Sequence, residues 1–446
     1  MDQTAFEALS KKIREKRAVV GIFGLGYVGL PLIIRFADAG FRAIGFDIDA
    51  NKVKALSSGK SYIEHIPESA IVDCVARGVE FTTEYSKVEQ CDAAIICVPT
   101  PLNKFRDPDL SYVTSTLDSI RPYLRKGQLV SLESTTYPGT TNEEVVSRCE
   151  SAGFKVGEDV FVVYSPERED PGNARYSTQT IPKLLGGVTA LCSEIGESLY
   201  SMVIDQVVVV SSPAVAEMAK LLENIQRAVN IGLANEMKLV ADKMGIDIFE
   251  IVEAAATKPF GFSAYYPGPG LGGHCIPVDP YYMMQRAADV GVPAELITAA
   301  RAVNRTMPLH VAGVLNEILY KAGVPSGEGK ILLLGWSYKA EVGDPRETPA
   351  EPLAEALQAK NIAISAFDPH LRPEDFPAGI EVVEDINSAQ GYDLAVLVTA
   401  HQACLEIDYI GLAKRMNNPI LYDGRRVLDL AKLENEGWQI HAVGRP

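Results

Sequence analysis

The chain has 446 residues and 47% hydrophobic content, too long for one ordinary domain and rich enough for two or three packed cores. Its 42 Lys and Arg against 58 Asp and Glu give a formal net charge of −16, which argues against a dedicated nucleic-acid or anionic-membrane binder but permits a local basic pocket. No apolar run approaches bilayer length, and the mixed-charge stretch 1–17 lacks a signal-peptide core, so a cytoplasmic protein is expected.

In chain order, residues 6–16 read as a short amphipathic helix. The apolar β-type run 18–23 then leads into Gly24-Leu25-Gly26-Tyr27-Val28-Gly29 and a helical pattern through Phe36. A second strand, 42–46, ends at Asp47. Strand, G-x-G-x-x-G, helix, strand and acid in this order predict a dinucleotide site. Gly24 makes the tight turn, Gly26 lets a pyrophosphate meet backbone N–H groups at the helix start, and Gly29 permits helix–strand packing. Asp47 would accept ribose hydroxyls and repel a 2′-phosphate, favouring NAD over NADP. Lys52 is placed for the adenosine or phosphate end, although a solvated helix lysine explains it nearly as well.

Buried-strand patterns recur at 93–98, 128–133, 161–164 and 206–210, as in a doubly wound parallel sheet. The loops after these strands are ligand positions. Thr100 and Thr135 are candidates for the nicotinamide side, and Arg168 for a phosphate or polar sugar substituent. Ser212-Pro213 starts a helix that runs to about Lys243 and is closed by Gly245, about 30 residues or ~45 Å. On it Met218, Leu222, Ile225 and Val229 are apolar at helical spacing, while Lys220, Asn224 and Arg227 share a face that reads, on spacing alone, as a solvated polar stripe. Further helices are predicted at 249–256 and 294–305.

Between these two lies Gly-Pro-Gly-Leu-Gly-Gly-His-Cys-Ile-Pro-Val-Asp-Pro, residues 268–280, within a loop expected to span 265–282. Pro267 and Pro269 restrict the backbone, Gly268 and Gly270 permit positive φ, and Gly272-Gly273 bare the main chain before Cys275. A thiol four residues from Asp279 suggests covalent chemistry; a buried, inert cysteine is equally open from the loop alone. The seven cysteines form no C-x-x-C pair and the six histidines show no ligand spacing, so reduced thiols and no metal are expected.

After a Gly/Pro/Ser-containing linker at 323–329 the α/β pattern restarts, with strands at 330–334, 362–367, 394–398 and 420–422 and no second G-x-G-x-x-G. Strand ends there carry Tyr338-Lys339, Gly343-Asp344-Pro-Arg346 and Asp423-Gly-Arg425-Arg426, a basic set suited to a diphosphate other than the dinucleotide.

Together, Gly24–Gly29, Val98-Pro-Thr-Pro, Ser134-Thr135, Ser165-Pro-Glu-Arg168, Lys220 with Asn224, Gly272-Gly-His-Cys275 with Asp279, and Lys339 with Arg346 make the chain resemble the UDP-glucose/GDP-mannose dehydrogenase family over nearly its whole length. The resemblance implies an α/β protein with three parts: an N-terminal Rossmann NAD-binding domain (1–211), a central helical, dimerising domain with a long helix (212–321), and a C-terminal Rossmann-like UDP-sugar domain (328–446). It implies a four-electron oxidation of a sugar C6 hydroxymethyl to carboxylate with two NAD, through a Cys275 thiohemiacetal and thioester, in a homodimer or higher homo-oligomer. By the same carry-over Lys220 would be base or oxyanion stabiliser, Asp279 would position or deprotonate water, Asn224 and Thr135 would help hold it, and Glu167 would assist thioester hydrolysis. Arg168, Glu169, Lys220, Asn224, Arg227, Gly272, Tyr338, Lys339 and Arg425 would contact the UDP-sugar, and Arg346 would reach NAD. Within the family the likeness is strongest to members acting on UDP-N-acetylglucosamine, through Arg168-Glu169 and His274; UDP-glucose, UDP-N-acetylmannosamine and UDP-N-acetylgalactosamine are the alternatives. Many relatives carry an arginine where this chain has Pro259, with Lys258 beside it as a possible substitute.

Overall fold

The computed structural model describes residues 4–63, 66–168, 178–273 and 275–445. They form two compact units: residues 1–223 with 281–292, and residues 224–280 with 293–446. Among the described residues no helix is long and apolar enough to cross a membrane.

The first unit is built on eight strands: β1 (Val19–Phe23), β2 (Arg42–Phe46), β3 (Glu80–Thr82), β4 (Ala93–Ile96), β5 (Gln128–Leu132), β6 (Val160–Tyr164), β7 (Lys183–Gly187) and β8 (Val207–Val210). Their order is β3-β2-β1-β4-β5-β6-β7-β8. Pairing is parallel except between β6 and β7, where Tyr164 faces Gly186 in antiparallel register. Alternate residues point to opposite faces, so Val20 and Ile22 enter one apolar cluster while Phe23 enters the other. On the second face the Phe23 and Phe46 rings stack at 4.3 Å.

The second unit carries six parallel strands: β9 (Lys330–Leu334), β10 (Ala363–Phe367), β11 (Glu381–Val382), β12 (Leu394–Leu397), β13 (Ile420–Asp423) and β14 (Gln439–Ala442). Their order, β11-β10-β9-β12-β13-β14, again places the first strand of the repeat centrally. Ile331 and Leu333 feed one core and Leu332 and Leu334 the other. The predicted α/β class and its central helical segment are therefore present. Pattern reading missed the short strands β3 and β11, the last strand β14, and β7.

The long helix spans Pro213–Met244, begun by Ser212, whose hydroxyl accepts the Val215 N–H (3.4 Å), and ended by Gly245 at φ +70°. The helix predicted at 294–305 instead runs Glu295–Lys321, straight through Pro308. An interior proline costs about 3 kcal/mol. Burial of Met307, Val311, Leu315, Ile318 and Leu319 on that helix, at roughly 1.5–3 kcal/mol each, outweighs it. A second difference concerns Asp279. It was expected within a loop, but it opens the helix Asp279–Asp289, and the Cys275 carbonyl accepts its N–H at 2.8 Å.

Candidate functional site

In the first unit the turn after β1 is shaped by its glycines. Gly24 sits at φ +89°, and a Cβ there would lie 2.8 Å from the Cys97 carbonyl oxygen. A Cβ on Gly29 would lie 1.9 Å from the Gly24 carbonyl oxygen, whereas one on Gly26 would meet nothing within 4 Å. Gly26 thus faces open space at the start of the helix Gly29–Asp38, the cradle a pyrophosphate needs. Leu25 is buried, and Tyr27 and Val28 are half-buried beside it.

Asp47, only 6% exposed, accepts the Leu25 N–H on Oδ2 (3.0 Å) and the Asp49 N–H on Oδ1 (2.9 Å). A carboxylate offers about four acceptor positions, so two remain for ribose hydroxyls. These residues fit a dinucleotide. The Lys52 ammonium stands 5.6 Å over the Tyr62 ring, whose hydroxyl donates to the Leu25 carbonyl, so Lys52 steadies the same turn. The loops after β4 and β5 are stapled by the Ser134 hydroxyl, which donates to the Val98 carbonyl at 2.6 Å. Thr100 and Thr135 are half-buried on them, and the Thr100 carbonyl accepts the Tyr282 hydroxyl at 3.2 Å.

Beyond β5 and β6 the same unit gathers charge. The Lys183 ammonium donates to Glu133 Oε2 at 2.8 Å and lies 3.7 Å from Glu167 Oε2. Arg168 forks onto Glu223 (2.7 and 3.2 Å) and donates to the Pro182 carbonyl (2.8 Å). Glu169 lies outside the described residues. On the long helix Lys220 and Asn224 are each 8% exposed, while Met218 and Leu222 are 47% and 63% exposed. This corrects the sequence reading of a solvated polar stripe. Only Arg227 of that trio is exposed, and the helix instead turns apolar residues outward.

In the second unit Asn224 Nδ2 donates to Asp279 Oδ2 at 2.6 Å, with Asp279 1% exposed. Cys275 is the only exposed thiol of the seven. Burial pushes the Cys91, Cys149 and Cys404 thiols up to about 12 and Cys74 to about 11, and it also raises Cys97, so none of these five ionises near neutrality. The space left by Gly272 and Gly273 is occupied by protein, because Cβ atoms there would come within 3.0 Å of Tyr338. Gly270 takes φ +156°, whereas Gly268 is not in the left-handed region; its missing side chain admits the Arg425 guanidinium, 3.2 Å from a built Cβ.

Arg425 donates from Nε to the Val398 carbonyl at 2.6 Å, and among the described residues no carboxylate lies within ion-pair distance of it. Loss of hydration pushes it down to about 10, which leaves it cationic at neutral pH. Lys339 is half-buried. Arg346 is exposed and forks onto Asp344 (2.9 and 2.7 Å). Lys258 sits 5.0 Å over the Phe260 ring, next to exposed Pro259. His274 lies outside the described residues.

Three family models match in succession. They are the NAD-binding domain of the UDP-glucose/GDP-mannose dehydrogenase family at residues 18–204, its central domain at 214–306 and its UDP-binding domain at 332–430. The chain belongs to this family. It is an NAD-dependent dehydrogenase with NAD-binding, central and UDP-binding domains in that order. It is 34% identical over 418 residues to a UDP-N-acetyl-D-glucosamine 6-dehydrogenase of Pseudomonas aeruginosa, covering 92% of this chain and 97% of that one. It is also 33% identical over 429 residues to a UDP-N-acetyl-D-mannosamine dehydrogenase of Pyrococcus horikoshii, covering 96% and 99%. A solved structure of the Pyrococcus horikoshii UDP-ManNAc dehydrogenase matches with a TM-score of 0.86 at 31% identity, over 96% of this chain and 99% of that one. A UDP-N-acetyl-mannosamine dehydrogenase structure from Staphylococcus aureus matches at 0.83 and 31%, over 96% and 98%.

Family membership makes the second sheet informative, because it repeats the first turn with one change. Gly24 N–H donates to Phe46 O and Gly335 N–H to Phe367 O, each at 2.8 Å. Asp368 follows β10 as Asp47 follows β2. Asp368 Oδ2, however, accepts the Trp336 and Ser337 N–H groups (both 2.7 Å) and pairs with buried His401 Nε2 (3.0 Å). The carboxylate that would meet a ribose in the first unit is here saturated by protein. His401 Nδ1 accepts the Glu341 N–H at 3.0 Å, so both ring nitrogens are engaged, although Glu341, His370 and His401 cluster at metal-like spacing. Sequence reasoning missed His401 and Asp368, as well as Glu133 and Lys183, because their roles depend on pairing across strands.

Proposed function

We propose that this dehydrogenase oxidises the C6 hydroxymethyl of a UDP-N-acetylhexosamine, UDP-N-acetylglucosamine in the first instance, to the uronate with two NAD per turnover. The observation that carries the covalent route is Cys275: an exposed thiol among seven cysteines, in the same unit as the buried Asn224–Asp279 pair. NAD, when bound, accepts the hydride. An aldehyde holds its hydrogen against direct hydride loss, but its thiohemiacetal with Cys275 releases it and leaves a thioester for water to cleave. Asp279, held by Asn224, orients water. Lys220 acts as base or oxyanion stabiliser, Thr135 steadies the bound water, and Glu167 takes the proton of the hydrolytic water. Tyr338, Lys339, Arg425, Arg168, Arg227 and Gly272 are the proposed substrate contacts, with Arg425 available to an anion because no carboxylate among the described residues lies within ion-pair distance of it. Arg346 contacts NAD by exchanging its Asp344 partner.

A second reading, UDP-N-acetylmannosamine, is favoured by the Pyrococcus horikoshii relative. We also infer a homodimer. Val215, Met218, Leu222, Leu233, Met237, Val240 and Met244 recur at helical spacing along the long helix, each at least 43% exposed, an apolar stripe suited to a second copy. Following NADH with UDP-N-acetylglucosamine, UDP-N-acetylmannosamine, UDP-N-acetylgalactosamine and UDP-glucose tests the substrate. Highest kcat/KM for UDP-glucose would sink the N-acetylhexosamine assignment.

A further inference from the structure

Among the clusters of buried ionisable groups, the one at the carboxyl ends of β5 and β6 enters the reading above only through Glu167, and Lys183, Glu133 and Tyr200 have no role in it. Strand β7 runs antiparallel to β6, so its first residue, Lys183, arrives at the sheet edge where the parallel strands present their carboxyl ends. A parallel strand would have put that residue at the opposite edge. Its ammonium is 4% exposed and its contacts there are dominated by acids. It donates to Glu133 Oε2 (2.8 Å) and to the Pro166 carbonyl (3.5 Å), faces Glu167 Oε2 at 3.7 Å and stands 5.1 Å from the Tyr200 ring. Glu133, with no side-chain exposure, is fixed from its other oxygen by the Tyr200 hydroxyl at 2.5 Å, and that hydroxyl is 2.7 Å from Ser131 Oγ. Glu167 is the end of this chain that reaches solvent, at 14% side-chain exposure, and its Oε1 accepts the Arg168 N–H at 2.7 Å.

We propose that Lys183, anchored by Glu133, Tyr200 and Ser131, is a positioning residue for Glu167, fixing one carboxylate oxygen so that the group is held in place to take a proton from water. This rests on the reading of Glu167 as the base in thioester hydrolysis. In that step the water oxygen adds to the thioester carbonyl, its proton passes to Glu167, and the C–S bond breaks to return the Cys275 thiolate. The physical case for Lys183 is one of charge. Two carboxylates meet a single buried ammonium, and burial alone would lower the lysine pKa, but Glu133 and Glu167 outweigh it and hold Lys183 protonated. Removing that cation leaves Glu133 and Glu167 facing each other without a counter-charge, so Glu167 loses the contact that fixes its Oε2.

The test uses the full-length enzyme with UDP-N-acetylglucosamine and NAD, comparing Lys183→Met, Lys183→Arg, Glu133→Gln and Glu167→Gln by rapid quench and intact-mass measurement. Lys183→Met should slow uronate release at least about tenfold while a sugar adduct accumulates on Cys275. Lys183→Arg should restore release, since it keeps a cation between the two carboxylates. Glu133→Gln loosens the anchor of Lys183 and should also slow release with adduct accumulating. If Lys183→Met does not fold, as judged by circular dichroism, adduct accumulation in Glu133→Gln decides, and wild-type release there overturns the positioning role. Adduct accumulation in Glu167→Gln without any change in folded Lys183→Met overturns the positioning role and leaves the hydrolytic role of Glu167 standing. Absence of adduct in both variants overturns the underlying reading as well.

Discussion

Gly29 and Gly26 occupy the same turn but serve it differently, and substituting each with alanine separates folding from cofactor binding. A Cβ at Gly29 would stand 1.9 Å from the Gly24 carbonyl oxygen, where ordinary contact begins at 3.4 Å, so the turn and helix must part by about 1.5 Å. Overpacking of this kind costs ~1–3 kcal/mol. The displaced groups are the backbone N–H donors proposed for the pyrophosphate, and a misplacement near 1 Å can cost on the order of 100-fold where geometry decides. Gly29→Ala should therefore lower both the melting temperature and the NAD affinity. At Gly26 a Cβ meets nothing within 4 Å and φ is not in the left-handed region, so the protein itself tolerates alanine, with ~0.4–1 kcal/mol gained from the stiffer unfolded chain. Gly26→Ala should keep or slightly raise the melting temperature while NAD binding, followed by calorimetric titration, weakens at least about tenfold, because the methyl fills the proposed pyrophosphate cradle. Wild-type NAD affinity in Gly26→Ala, or wild-type melting in Gly29→Ala, would refute this account of the turn.

Other consequences follow from the hydrogen bonding. Asn224→Ala removes the 2.6 Å bond to Asp279, a nearly fully buried carboxylate, and should cost ~1–3 kcal/mol in chemical denaturation; an unchanged midpoint contradicts the bond's contribution. Burial works to raise the Asp92 pKa, but hydrogen bonds from Lys12 (2.7 Å), Arg125 (2.8 Å) and the Val19 N–H (3.0 Å) outweigh it and hold the group below the ordinary value of 3.8. A lowered folded pKa contributes stability that is complete above the unfolded value and is lost as pH falls through the folded one. Asp92→Asn should consequently flatten the decline of melting temperature below about pH 4, and an acid limb as steep as wild type would count against it. Asp47→Ala should reduce the preference for NAD over NADP in initial-rate assays, and retained discrimination would place the ribose contact elsewhere.

Much of the fold was legible because a parallel strand buried on both faces writes a continuous apolar run and the dinucleotide turn has fixed glycine spacing. Strand β7 was not, since its Gly186-Gly187 end packs directly on Ser212 and Ser193 and leaves only a brief apolar signal. The helix through Pro308 was foreshortened because its apolar face is repaid only by packing that no local pattern displays. In the candidate site, spacing placed Lys220 and Asn224 on one helix face but assigned that face to solvent. Hydrophobicity normally decides which face is buried, and here Leu221 and Ile225 are buried with Lys220 and Asn224 while Met218 and Leu222 are exposed. Gly272 and Gly273 were legible as a bare backbone, but their neighbour is Tyr338. The Asp368–His401 pair and the Glu133–Lys183–Glu167 cluster join residues 33 to 50 positions apart or on reversed strands, beyond what a linear motif can express.

The covalent role of Cys275 is tested most directly by incubating the Cys275→Ser enzyme with UDP-N-acetylglucosamine and excess NAD, quenching at intervals, and quantifying NADH and uronate together. The account predicts two NADH per uronate for the wild type and no uronate release from the variant. Uronate formed by Cys275→Ser at the wild-type rate would contradict it.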